Sequence, residues 1–63
     1  MEERMKDAQF IIKAMMRRDW SLTRIENETG VAREAVSRIL RGETWFVYPQ
    51  TVKKLYEGSR KGV

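Results

Sequence analysis

The sequence predicts an all-α fold, a small bundle of four to five short helices, and three observations predict it. Apolar residues recur at spacings of three and four along the chain, the period of a helix with one buried face. Hydroxyl and glycine residues fall between those stretches, where helices take their caps. The one proline, Pro49, falls where a helix accepts proline, in the first turn. At 63 residues the chain has room for a single core. Residues 1–58 are expected to form the domain and 59–63 a flexible C-terminal tail.

The first helix is expected over residues 2–18. Met5, Ala8, Ile12 and Met15 make its stripe, Ile11 and Met16 widen it, and no Gly or Pro interrupts it. Such a stripe is core before it is anything else. Ser21 then suits an N-cap, its hydroxyl accepting from the free amides of a second helix over about 22–29. Trp20, one residue earlier, is placed to pack on Ile25 as a hydrophobic staple. Leu22, Ile25 and Thr29 form the inward stripe, and Gly30 ends the helix in a left-handed conformation. Val31 leads into a third helix, about 32–41, which Gly42 closes in the same way. Of that helix, Ala32, Ala35, Val36, Ile39 and Leu40 fall on one side, and Arg33, Glu34, Ser37, Arg38 and Arg41 on the other. A last helix starts at Pro49 and runs to about Glu57, with Val52, Leu55 and Tyr56 as its apolar side. The residues GSRKGV at the end have nothing to bury and are expected to fray.

Composition narrows the function. There is no Cys or His, hence no disulfide and no thiolate or imidazole metal site, and no metal or cofactor is expected. Without those residues a general base would have to come from scattered carboxylates, and no Gly-rich phosphate loop exists, so the chain does not read as an enzyme. No apolar run approaches the roughly 20 residues that cross a bilayer. The opening MEERMKD is too acidic for a signal peptide, so a complete, soluble, cytoplasmic protein is expected. The net charge of +4 is uneven. Six basic residues balance six acidic ones up to Val31, whereas seven stand against three from Ala32 onward. A basic patch on a small domain is the footprint of a polyanionic partner.

Two short helices joined by a tight turn with a central Gly are the ingredients of a helix-turn-helix. The stretch SLTRIENETGVAREAVSRILRG, with its capping hydroxyl, Gly-Val turn, following small and aliphatic residues and closing Gly, resembles the helix-turn-helix of the lambda-repressor/Cro-like (Xre-type) DNA-binding family. Helices before and after it extend the resemblance over most of residues 8–57. Four positions depart from the family pattern: Glu26 where alanine is usual, Ala32 where Ser or Thr caps, Leu22 where glutamine binds phosphate, and Glu43 where lysine is common.

The resemblance implies that the third helix lies in the major groove of DNA and reads base edges with its outer face. Arg33, Glu34, Ser37 and Arg38 are the base-reading candidates; arginine can fork onto guanine and a carboxylate can accept from cytosine. Ser21, Thr23, Arg24, Arg41 and Thr44 are the phosphate candidates. It also implies a homodimer on a palindromic double-stranded operator, with Phe46, Val47, Leu55 and Tyr56 as dimer candidates. The expected function is a sequence-specific transcriptional regulator, a repressor of phage or mobile-element type, with no small-molecule ligand. The competing reading is a small helical protein-interaction module that uses the basic face and the aromatic run Trp45–Tyr48. That run is equally open to being buried core, dimer interface or partner site.

Overall fold

The computed structural model describes residues 2–44 and 47–61, with side chains from residue 6 onward. Trp45 and Phe46, and the side chain of Met5, therefore lie outside the described residues. Four helices follow in chain order: α1 (Glu2–Arg17), α2 (Leu22–Thr29), α3 (Arg33–Leu40) and α4 (Pro49–Ser59). The fold is an all-α bundle in which α1 and α2 each lie against both α3 and α4. Among the described residues, no helix is long and apolar enough to cross a membrane.

The helix ends are set by local chemistry. Beyond α1, Asp19 takes a left-handed conformation (φ 64°), and the Trp20 amide donates back to Met15 O at 3.2 Å. Ser21 caps α2 by accepting from the Arg24 amide at 3.1 Å. Gly30, at φ 77°, closes α2 with its amide on Glu26 O at 2.8 Å, a conformation that costs glycine no Cβ clash. Gly42, at φ 73°, lets Glu43 N reach Arg38 O at 2.9 Å and its own N reach Ile39 O at 3.1 Å, the paired bonds of a Schellman motif. The α2–α3 turn is stitched by Thr29, whose buried hydroxyl donates to Ile25 O at 2.6 Å and accepts from Val31 N at 3.1 Å.

The start of α3 lacks such a device. Ala32 stands at its N-cap with no side chain to offer. Ala32→Ser is therefore expected to stabilise the fold by about 0.5–1 kcal/mol, the lower half of what a cap is worth, read from chemical denaturation midpoints. An unchanged midpoint would mean that the α3 amides are satisfied elsewhere.

The core comprises Ala8, Ile12 and Met15 of α1, Trp20, Ile25 and Val31 around α2, Val36 and Ile39 of α3, Val47, and Leu55 of α4. Trp20 and Ile25 share this cluster, as a staple requires. Gln9 ties α1 to the end of α3, its amide nitrogen donating to Ile39 O at 2.9 Å.

Several expectations are corrected here. Met16 is exposed and does not widen the α1 stripe. Val47 and Leu55, expected at a dimer interface, are 3% and 0% exposed within the single chain. Leu55 and Gly58, three apart, form the inward line of α4, and Val47 is the loop residue that fills the same core. Tyr56, about 100° away from Leu55 around the helix, is turned out to solvent. Finally, α4 continues to Ser59, and its Gly58 is buried where fraying chain was expected.

Gly58 is also where α4 meets α2. A Cβ built there would lie 2.5 Å from Thr29 Cγ2, 2.7 Å from Thr29 Cα and 2.8 Å from Glu28 O. The helices approach closely because α4 carries no side chain at this point. Glu26, half-buried, carries its carboxylate without an ion pair among the described residues.

Candidate functional site

The outer face of α3 follows from its inner one. Val36 and Ile39 are buried, with Ala35 and Leu40 partly so, which leaves Arg33, Glu34 and Arg38 exposed and Ser37 half-buried. Glu34 stands in the first turn, where a carboxylate is favoured by the helix dipole. It makes no ion pair with Arg38 among the described residues, so the i to i+4 partnership that the spacing permits is not formed.

The beginning of α2 is brought against the beginning of α3. Arg33 Nη1 donates to Thr23 Oγ1 at 3.3 Å, so a base-reading candidate and a phosphate candidate share one surface. Ser21 and Arg24 sit one turn apart at the same helix end, joined by the capping bond. Arg24 is held in place from below. Its guanidinium carbon lies 4.1 Å from the centroid of the Trp20 ring, and that of Arg18 lies 4.7 Å from it. A desolvated indole face attracts a guanidinium and restricts its rotamers, leaving less entropy to lose when an anion arrives. Arg18 was absent from the sequence-based candidates; an arginine two residues before a buried Trp was the available signal. Arg18 also donates through Nη2 to Ser59 O, tying α1 to the end of α4.

Arg41 and Thr44 are placed differently. Arg41 Nε lies 3.3 Å from Glu43 Oε2, an exposed pair of the kind worth about 0–1 kcal/mol, readily exchanged for a stronger anion. Glu43 thus offsets the neighbouring arginine. Thr44 and Arg38 line a common cleft of about 210 Å³ between α3 and the start of α4, together with Tyr48 and Thr51. Thr51 was not singled out from the sequence, and Tyr48 only as part of the aromatic run, because only the fold brings the α4 start beside Arg38.

Among the described residues no cluster of three or more carboxylate, thiol or imidazole side chains could hold a metal ion. No family model, curated protein sequence or solved structure matches the chain.

Proposed function

We propose that this protein binds double-stranded DNA sequence-specifically, inserting α3 into the major groove, and acts as a transcriptional regulator of the repressor kind. The observation that carries the reading is the exposed Arg33, Glu34 and Arg38 face of α3, set beside the α2 start by the Arg33–Thr23 bond. An eight-residue helix whose opposite side is buried can offer a groove only that face. Its two arginines match guanine edges and its carboxylate a cytosine amino group. Ser21, Thr23 and Arg24 would hold phosphate, with Arg24 pre-ordered on Trp20. One such domain reads few base pairs, so two copies on a two-fold operator are part of the proposal. The protein is proposed to work in the cytoplasm, on DNA, as proteins of mobile elements do in the family it resembles.

The test centres on Glu34. A negative charge on this face repels phosphate, so its presence needs a specific return. Beside the helix-dipole contribution of its first-turn position, a base contact is the role proposed for it. After selection of bound sequences from a random duplex pool, Glu34→Ala is expected to lower the ratio of specific to random-duplex affinity by about 1–3 kcal/mol. Its non-specific affinity should stay equal or rise. An unmoved ratio, alongside a ratio that Arg38→Ala collapses, would make Glu34 a helix-dipole residue only and rotate the reading face. If no duplex binds at all, the same basic face belongs to a protein-interaction module with an acidic partner.

A further inference from the structure

We propose that the groove between α1 and α4 is where a second copy of this chain docks, in a two-fold arrangement registered by Asp7 and Lys53. The helices run side by side in the same direction. Asp7, Phe10 and Ile11 stand beside Pro49, Val52 and Lys53 at one end, and Arg18 beside Ser59 and Arg60 at the other. Two adjoining hollows of about 510 and 350 Å³ share Phe10, Ile11 and Tyr56, so they form one continuous groove. Phe10 is 66% exposed and Tyr56 51%. A small charged protein that leaves two aromatic rings together on its surface is displaying a contact site. No residue of α2 or α3 lines this groove, so an occupant would leave the proposed DNA face open.

Charge identifies the occupant. One lip carries an acid, Asp7 on α1, and the other a base, Lys53 on α4; both are exposed, and neither has an ion pair within the chain among the described residues. Turning a second copy by 180° about the groove's long axis lays α1 of each on α4 of the other. Asp7 of each copy then faces Lys53 of the other. Symmetry supplies the pair twice, because an isologous interface places residue i against j and j against i. A foreign partner would have to reproduce this pattern independently. At the far end the like charges Arg18 and Arg60 are engaged in their own chain. Arg18 is held by Trp20 and Ser59, and Arg60 by the Tyr56 ring at 5.5 Å and its hydroxyl at 3.3 Å.

The interface is small. The 16 residues of α1 span about 24 Å and the 11 of α4 about 16 Å, so the face falls short of the roughly 800 Å² per partner of a standard interface. The free protein is therefore expected to pair weakly, with a Kd on the order of 10–100 μM. The inference deepens the two-copy reading above and rests on it for its role at DNA.

The experiment is sedimentation equilibrium without DNA on the full chain, wild type and variants, from about 5 to 500 μM to bracket that Kd. Wild type should show a reversible monomer–dimer equilibrium, and Phe10→Glu should abolish it while keeping the helical circular dichroism of the wild type. Asp7→Lys alone and Lys53→Asp alone each set like charges against each other twice and should be monomers. Mixed in equal amounts they should form a heterodimer, since both cross-pairs are then opposite in sign. A wild type that stays monomeric throughout would overturn the proposal and leave the groove to a different occupant. A wild type that pairs while the two charge variants fail to pair with each other would overturn it too. Duplex binding is measured separately. A chain that pairs but ignores DNA overturns the proposed function alone, and one that binds DNA but never pairs overturns the groove alone.

Discussion

Gly58→Ala is expected to lower the melting temperature by about 8–16 °C, although alanine is the better helix former. Helix propensity favours the substitution by about 1 kcal/mol. Against it stands the space: the new methyl would lie within 2.5–2.8 Å of Thr29 Cγ2, Thr29 Cα and Glu28 O. Two of those atoms are backbone and cannot swing aside, so α4 has to move off α2. Overpacking of this kind costs about 1–3 kcal/mol and sometimes more, and the helix gain offsets only part of a cost at the upper end. A net loss of about 2 kcal/mol is expected, at roughly 4–8 °C per kcal/mol for a domain this size. A 63-residue chain has only about 3–9 kcal/mol to lose, so a visible fraction unfolds well below the wild-type melt. Differential scanning calorimetry checks it. A melt at or above that of wild type would mean that the α2–α4 approach is not held in solution.

Affinity for duplex DNA is expected to fall by about 10³- to 10⁵-fold between 50 and 200 mM salt. If each copy neutralises three to five phosphates, two copies release enough counterions for a log–log slope of roughly −5 to −9. Arg24→Ala should flatten that slope by about one unit per copy and weaken all sequences alike, since a phosphate contact carries no base information. Arg41→Ala should flatten it less, because Glu43 already neutralises much of the Arg41 charge in the free protein. Fluorescence anisotropy titrations at four or five salt concentrations give the slope directly. A slope near zero on every duplex would overturn DNA binding and favour a protein partner.

The helix ends were legible in the sequence because they depend on neighbours a few residues away. Ser21 caps, and Gly30 and Gly42 take left-handed conformations, as the spacing of hydroxyl and glycine suggested. The α3 faces were legible for the same reason, since a 3.6-residue period sorts Val36 and Ile39 from Arg33, Glu34 and Arg38 without knowledge of the rest of the fold. What depended on distant chain was not legible. Gly58 reads locally as a helix end, and only the passage of Thr29 across α4 makes it a crossing point. Val47 reads as one member of an apolar loop, and only the assembled core distinguishes it from exposed Tyr48 beside it. The cleft that joins Arg38 to Thr51 likewise exists only once helices apart in sequence have met, whereas the Arg18 guanidinium over Trp20 is a local contact between residues two apart.

The division of α3 into a buried and an exposed side also bears on how such a protein can change over generations. Arg33, Glu34 and Arg38 are all exposed and none belongs to the core cluster, so exchanging them leaves Val36 and Ile39 in place. Exposed substitutions of that sort typically alter stability by no more than about 0.5 kcal/mol. Under the DNA-binding function proposed above, new recognition could accumulate at those three positions while the scaffold beneath stays constant. The same separation makes the chain a scaffold on which variant outer faces of α3 can be screened as a library, with Gly58, Thr29 and Leu55 left untouched.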